Sequence, residues 1–297
     1  MKKRHLVVRR LFEVTLLQIC FTLSVCAQDI VKFGSLTPAG QSRTVEAVIS
    51  LPKAPENGEK RPAVILVHSI GGWQWPVTGQ YAAPLAAAGF VVLEPRLFPD
   101  KSQAIWPTHA ALPLVYDALR YLAARPDVDA KRIGLAGFSY GGALTIYAAT
   151  SWAQSTFGKS SDMQFSAFAP FYPICWAFAS VAQGQRKVPG IPGDFFARFG
   201  DAPMRIFAGG RDDYDDRDPK ACDAMISAIP LEFRQSFSVK VFPDATHGWD
   251  QRAARFHEPL ACKGRGCTNS NEPNDSVTKE AMAEMIDFFS RALAARR

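Results

Sequence analysis

Short apolar runs alternate along this chain with amphipathic stretches, and glycine or proline separates many of them. Ala63–Val67 is a continuous apolar run bounded by Pro62 and by Gly71-Gly72, a pattern typical of a strand buried on both faces of a parallel sheet. Further strands are predicted at Thr44–Leu51, Phe90–Leu93, Arg132–Ala136, Phe165–Phe171, Met204–Ala208 and Val239–Phe242.

Helical periodicity fills the gaps between these strands. Helices are predicted at Tyr81–Ala88, Leu112–Ala124, Tyr140–Ala149 and Val277–Leu293. The alternation predicts a mostly parallel, doubly wound α/β sheet with helices on both faces. No stretch resembles an interdomain linker, so residues 28–297 are predicted to form one domain. Residues 262–275 are polar and rich in Gly and Asn, and are predicted to be an exposed loop.

Composition fits a globular protein, since 47% of the 297 residues are hydrophobic and 21% are charged. This balance excludes a disordered chain, a fibre and a small disulfide scaffold. The formal net charge is +6. Most of the excess lies in residues 1–27, which hold five basic residues and one acidic residue. The basic balance therefore does not indicate nucleic-acid binding, and no nucleic-acid partner is expected.

The N-terminus has the pattern of an export signal. Residues 2–10 are basic, residues 11–25 are mainly apolar, and Val25 and Ala27 place small residues at −3 and −1. We expect residues 1–27 to be a signal peptide cleaved after Ala27, and the mature protein to be periplasmic or secreted. The apolar run is short of the roughly 20 residues that span a membrane, so no stable span is expected after cleavage. A twin-arginine signal at Arg9-Arg10, a lipoprotein site at Cys26 and a membrane-anchoring helix stay open as alternatives.

Four cysteines remain after this segment: Cys175, Cys222, Cys262 and Cys267. An even number in an exported protein suggests two disulfides, for which three pairings exist. Cys262 and Cys267 could close a small loop, and Cys175 would then pair with Cys222. Free buried thiols are the alternative, whereas a zinc site lacks the expected ligand spacing.

The strongest chemical signal is Gly137-Phe138-Ser139-Tyr140-Gly141-Gly142, between a predicted strand and a predicted helix. This is the strand–turn–helix setting of a nucleophile elbow, in which glycines allow close backbone approach. Ser139 is therefore the candidate nucleophile. The first oxyanion donor is the Tyr140 amide, and the second is the amide of Ser69 or Ile70 in the turn after Ala63–Val67. His68 is predicted to support that turn.

A serine nucleophile needs a base, and the base needs an acid to orient it. His247 follows the strand Val239–Phe242 and is the candidate base, with His257 as its rival. Asp212 or Asp213, just after Met204–Ala208, is the candidate acid, and Asp212 is preferred. The order serine, aspartate, histidine is that of α/β-hydrolases. The acidic run Asp212, Asp213, Asp215, Asp216 and Asp218 could instead be a solvated loop or a calcium site.

Together these motifs resemble the dienelactone hydrolase family of α/β-hydrolases, from about Val45 to Leu293. The resemblance rests on VILVHSIGG, RIGLAGFSYGG, FYPIC, AGGRDDYDD with Cys222 beyond it, and DATHGWD. It implies hydrolysis of small esters or lactones without cofactor or metal, with Ser139 as nucleophile, His247 as base and Asp212 as orienting acid. Dienelactone hydrolases proper have a cysteine where this chain has Ser139 and a glutamate near the oxyanion turn, where it has His68. A related carboxylesterase or acyl hydrolase is therefore the better interpretation.

The predicted function is a serine hydrolase that cleaves small carboxylic esters or lactones through an acyl-enzyme. An acyltransferase, a peptidase with the same triad and a non-catalytic binding module are the alternatives. Residues 173–203 leave room for a short excursion but for no large cap domain. Aromatic residues there and after the oxyanion turn could line a pocket or belong to the core: Trp73, Trp75, Trp176, Phe178, Phe195, Phe196 and Phe199. The oligomeric state is not predicted.

Overall fold

A computed structural model of the chain describes residues 27–37, 40–53, 58–72, 77–98, 108–158 and 163–295. The predicted signal peptide, apart from Ala27, lies outside the described residues, as do Trp73 and Trp75. None of the helices in these ranges has the length and apolar character needed to cross a membrane.

The described ranges contain ten strands and nine α-helices, joined by loops and short 3₁₀ turns. The strands are β1 (Ala27–Leu36), β2 (Ser42–Leu51), β3 (Arg61–Val67), β4 (Val91–Pro95), β5 (Val128–Phe138), β6 (Ala167–Phe171), β7 (Met204–Gly209), β8 (Phe237–Phe242), β9 (Ala254–Glu258) and β10 (Cys267–Asn271). The helices are α1 (Val77–Ala87), α2 (Leu112–Ala123), α3 (Tyr140–Ala148), α4 (Ser151–Phe157), α5 (Cys175–Ala182), α6 (Ala221–Ala228), α7 (Leu231–Arg234), α8 (Ala261–Gly264) and α9 (Asp275–Ala292).

Eight strands form one sheet in the order β1-β2-β4-β3-β5-β6-β7-β8. The pairs from β4 through β8 are parallel, whereas β1 and β2 are joined to the sheet by antiparallel pairs. The order reverses around β3, as in doubly wound sheets, where the chain crosses to both faces. This confirms the predicted fold class. The carboxyl ends of β3, β5, β6, β7 and β8 therefore meet at one edge of the sheet.

Each face of the sheet carries its own hydrophobic layer. Alternate residues of β3 divide between the layers: Ile65 and Val67 pack with α2 and α3, whereas Val64 and Leu66 pack with α1 and α9. All four side chains are fully buried. This explains why β3 is apolar at successive positions, since both of its faces are covered.

Two segments differ from the expectations. Strand β1 was not predicted. It is the outermost strand of the sheet, and Ile30 on it is 72% exposed, so its burial pattern is weak. The predicted exposed loop at residues 262–275 was wrong, because Cys267–Asn271 pairs with Ala254–Glu258 as a hairpin and Asn269 is fully buried. Backbone hydrogen bonds and side-chain contacts build this hairpin, and a hydrophobic pattern cannot reveal those.

The hairpin also contains one of the two disulfides formed within the described ranges. Cys262 pairs with Cys267 at its tip, and Cys175 at the start of α5 pairs with Cys222 in α6. The Cys175–Cys222 bridge is buried and joins residues that lie 47 positions apart in the sequence. The Cys262–Cys267 bridge joins residues that lie only 5 positions apart.

The turn from β5 into α3 depends on three glycines. A β-carbon on Gly137 would lie 2.0 Å from the carbonyl oxygen of Gly141. One on Gly141 would lie 2.2 Å from that of Val67, and one on Gly142 would lie 2.4 Å from that of Phe171. These neighbours are backbone atoms, so β3, β6 and α3 approach this closely only because the side chains are absent.

We therefore expect Gly137→Ala to lower the free energy of unfolding by about 3 kcal/mol, because the added methyl group has no space. Gly79→Ala is the matched control. Gly79 is exposed on α1 with open space around its α-carbon, so the substitution should stabilise the helix by up to about 1 kcal/mol. Urea denaturation of both variants checks this, and equal stabilities would contradict the packing argument.

The two disulfides should contribute unequally to stability. By loop-closure entropy, replacing Cys175 and Cys222 with alanine should cost about 4 kcal/mol, and replacing Cys262 and Cys267 about 2 kcal/mol. Thermal and urea denaturation of the two double variants, after peptide mapping of the oxidised protein, measures both values. A larger loss from the hairpin pair would show that loop entropy does not dominate.

Candidate active site

Ser139 lies at the tip of the turn between β5 and α3. Its backbone has φ 52° and ψ −109°, a left-handed conformation that is costly for a residue with a side chain. Two hydrogen bonds hold it there: the Ser139 amide donates to the Phe171 carbonyl (3.0 Å), and the Ala143 amide donates to the Ser139 carbonyl (2.8 Å). The side chain is thereby presented at the carboxyl edge of the sheet, at the start of a helix.

His247 is hydrogen-bonded to both Ser139 and Asp212. Its Nε2 is 2.8 Å from Ser139 Oγ, and its Nδ1 is 2.8 Å from Asp212 Oδ2. A carboxylate only accepts hydrogen bonds, so Nδ1 carries the proton and Nε2 is left to accept from the serine hydroxyl. All three side chains are buried. The structure thus brings together the candidate nucleophile, base and acid, which come from the ends of β5, β8 and β7.

The rival histidine is elsewhere. His257 is an exposed residue on β9, in register with Thr268 of β10, and takes no part in the hydrogen bonds of Ser139. It follows that His247 alone of the two candidates is placed to accept the serine proton.

The aspartates after β7 have different partners. Asp212 accepts from the Tyr214 amide (2.9 Å) as well as from His247. Asp213 faces the hairpin, where it accepts from the Ser270 amide, and it also accepts from Arg217 Nε. Asp216 and Asp218 form ion pairs with two basic residues of the hairpin tip, Arg265 and Lys263. These carboxylates therefore diverge and do not form a shared calcium cage.

Asp215 is buried and accepts hydrogen bonds from two amides at the start of α5, those of Cys175 (3.2 Å) and Trp176 (2.8 Å). Burial, together with the nearby charge of Asp212, raises the pKa of Asp215 to about 7. Within the described ranges, Asp215 and the sulfurs of Cys175 and Cys222 are close enough to hold a metal ion. Both sulfurs belong to the disulfide, however, which leaves no thiolate for coordination.

His68 supports the turn that follows β3. Its Nδ1 lies 2.7 Å from the Ser69 carbonyl and its Nε2 accepts from the Leu97 amide at 3.0 Å. Burial lowers the pKa of His68 to about 4, so the ring is neutral, with one donor and one acceptor, as these partners require. Ser69 is buried and Ile70 is half exposed. The close approach of Gly141 to the carbonyls of Val67 and His68 places this turn beside the first turn of α3.

Sequence reasoning missed a second group beside His247. Asp250 is partly buried, and its carboxylate accepts from Tyr172 Oη (2.7 Å) and Tyr81 Oη (2.8 Å). Burial raises its pKa to about 6. The available signal was the second aspartate of DATHGWD, three residues after the histidine, but sequence spacing alone does not indicate a contact with tyrosines from α1 and from the end of β6.

Four of the seven aromatics that could line a pocket or belong to the core are core residues. Phe178, Phe195, Phe196 and Phe199 are buried against one another, and Tyr147 of α3 stacks on Phe195. Trp176 is partly buried and carries the side chain of Arg186 5.5 Å above its ring. The excursion after β6 is therefore packed mainly as core and contains α5 and one short helical turn, Phe195–Ala197.

Solved structures share this architecture. Esterase 2 of Thermogutta terrifontis, phosphorylated by paraoxon, is 17% identical with a TM-score of 0.60, covering 90% of this chain and 96% of its own. Est1E from Butyrivibrio proteoclasticus is 17% identical (TM-score 0.54; coverage 86% and 98%). An acylaminoacyl peptidase of Pyrococcus horikoshii is 13% identical (TM-score 0.59) and matches 92% of this chain but 43% of its own. At these identities the likeness establishes the α/β-hydrolase fold alone.

A search of curated proteins finds no match. The family model of the dienelactone hydrolases, in contrast, matches residues 45–293, which is most of the chain and includes every residue of the site described above. The chain belongs to the dienelactone hydrolase family.

Proposed function

We propose that this protein is a serine hydrolase that cleaves small carboxylic esters or lactones through an acyl-enzyme intermediate. The observation that carries the proposal is the pair of 2.8 Å contacts from Ser139 through His247 to Asp212, built on a strained elbow. A serine hydroxyl becomes an effective nucleophile when a neutral imidazole accepts its proton and a carboxylate holds the tautomer.

The reaction has two halves. His247 Nε2 takes the proton as Ser139 Oγ attacks the carbonyl carbon, and the resulting oxyanion accepts from the amide of Tyr140 and from that of Ser69 or Ile70. The alcohol then leaves with the proton from His247. Water, activated by the same imidazole, attacks the acyl-enzyme, releases the acid and restores the serine. The cycle uses no cofactor and no metal.

Two features of the site support this cycle. The Tyr140 amide lies in the first turn of α3, where amides without helical partners and the helix dipole favour negative charge. The turn of Ser69 and Ile70 is fixed by His68, which binds the Ser69 carbonyl and so directs the neighbouring amides. Preorganised donors of this kind are usually the largest single contribution to acyl transfer.

We also propose that residues 28–297 act as one exported domain. Two disulfides fit an oxidising compartment, and the basic and apolar segment before Ala27 fits a cleaved leader. N-terminal sequencing of the exported protein should start at Gln28, and a start at Met1 would contradict cleavage.

The first test is covalent labelling with a fluorophosphonate, a probe of activated serines. We expect one adduct on Ser139, found by peptide mapping, and none in Ser139→Ala. His247→Ala should slow labelling by about 10³-fold or more, because the base is lost, whereas His257→Ala should label like the wild type. A folded wild-type protein that acquires no adduct would overturn the proposal and favour a binding role.

The second test separates the two adjacent aspartates. Asp212→Asn should lower kcat for an aryl ester by about 10³-fold or more, because the imidazole loses the partner that sets its tautomer. Asp213→Asn is the matched control and should keep kcat within about tenfold, since that side chain holds the hairpin and not His247. Equal losses in the two variants, with both folded, would contradict the assignment of the acid.

A further inference from the structure

A partly buried carboxylate that the proposed reaction does not use, that of Asp250, lies near the candidate base. Both oxygens of Asp250 accept from tyrosine hydroxyls, Oδ1 from Tyr172 and Oδ2 from Tyr81. Among the described residues no Lys or Arg forms an ion pair with it. Two phenols therefore solvate this carboxylate, and a carboxylate without a cationic partner is costly to bury. This cost indicates that Asp250 has a role other than packing.

Tyr172 connects Asp250 to the imidazole. Its ring centroid is 4.9 Å from that of His247, with the planes at 66°. Its backbone is held in a left-handed conformation (φ 37°) by a 2.7 Å hydrogen bond from its amide to the Phe207 carbonyl. Hydrogen bonds at both ends of Tyr172 thus set the position of its ring. Its amide donates to Phe207 of β7, and its hydroxyl donates to Asp250.

A second tyrosine contacts the same imidazole. Tyr214 lies 4.3 Å from the His247 ring, centroid to centroid. His247 is therefore held by aromatic contacts as well as by its two hydrogen bonds. The tyrosine contacts limit rotation of the ring away from the line between Ser139 and Asp212.

Charge adds to this mechanical effect. Asp212, Asp215 and Asp250 lie within electrostatic reach of His247, and Ser139, Tyr172 and Tyr214 are in contact with it. The titratable groups around Asp250 are Tyr81, Tyr172 and His247. Two neutral amides lie nearby: Gln251 donates to Tyr172 Oη, and Gln80 donates to the backbone carbonyl of Asp250. Of these, only His247 can become a cation, and it does so when it takes the serine proton.

We propose, building on the function proposed above, that Asp250 is a positioning residue for His247. Through Tyr172 it holds the imidazole between Ser139 and Asp212, and its charge stabilises the imidazolium that forms during acylation. Asp212 remains the group that sets the tautomer, since it is the one in hydrogen-bond contact with Nδ1.

The test compares Asp250→Asn with Tyr172→Phe. The asparagine keeps the shape and can still bond to the hydroxyls but carries no charge. We expect kcat to fall about tenfold or more with KM within about threefold, and the acidic limb of the kcat profile to move to lower pH. Tyr172→Phe keeps the charge of Asp250 but removes the hydrogen bond between that carboxylate and the tyrosine. We therefore expect a smaller fall in kcat and no shift in the acidic limb of the kcat profile.

Tyr116→Phe is the matched control for loss of a buried tyrosine hydroxyl. Tyr116 donates to the Ala148 carbonyl at 2.9 Å and is not in contact with His247. It should lower thermal stability as Tyr172→Phe does, with wild-type kcat. A folded Asp250→Asn variant with wild-type kcat and pH profile would overturn the proposal.

The protonation of His247 can be measured without turnover, so the role of Asp250 can be tested even if the protein does not hydrolyse esters. Titration of the His247 ring by ¹⁵N NMR should have its midpoint at lower pH in Asp250→Asn, whether or not the protein hydrolyses esters. An unchanged midpoint would overturn the inference, even if fluorophosphonate labels Ser139. If Asp250→Asn does not fold, the double variant Tyr81→Phe/Tyr172→Phe removes both bonds, and wild-type kcat in it would overturn the positioning role.

Discussion

Close backbone contact at the turn between β5 and α3 is the constraint on which the rest of the site depends. Three glycines there face carbonyl oxygens of α3, β3 and β6 at distances that no side chain allows. Because the neighbouring atoms are backbone, any relief would have to move a strand or a helix. The ends of β3, β5 and β6, which carry the Ser69–Ile70 turn, Ser139 and Tyr172, are thereby fixed relative to one another.

The loop after β7 organises the other half of the site. Its successive aspartates point in different directions, and Asp216 and Arg217 adopt left-handed conformations that turn the chain. Asp212 is directed to His247, Asp213 to the hairpin and Asp215 to the start of α5. One acidic loop thus joins the histidine to both disulfide-containing segments. Each carboxylate of the acidic run therefore has its own hydrogen-bond donors within the protein.

Three carboxylates lie near one imidazole, two of them buried and one partly buried, and this arrangement is costly for stability. Burial raises the pKa of Asp215 and Asp250 towards neutrality, so each favours the protonated form in the folded protein more than in the unfolded chain. Their contribution to stability is therefore present at low pH and is lost as the pH rises through about 6 to 7. In the proposed reaction His247 becomes positive, and negative charge held close to it stabilises that form.

The apolar runs, the amphipathic helices and the GFSYGG turn determined the sheet, its helical layers and the candidate nucleophile, because these depend on patterns local in the chain. The order of motifs along the chain also pointed to His247 and Asp212. Tertiary structure decided what depends on direction in space. It decided that Asp212, and not the adjacent Asp213, faces the imidazole. It also decided that Asp213 binds a hairpin whose polar strands have no hydrophobic pattern. It also decided that Asp250, Tyr81 and Tyr172 meet behind His247, since hydrogen bonds between residues far apart in sequence leave no periodic pattern.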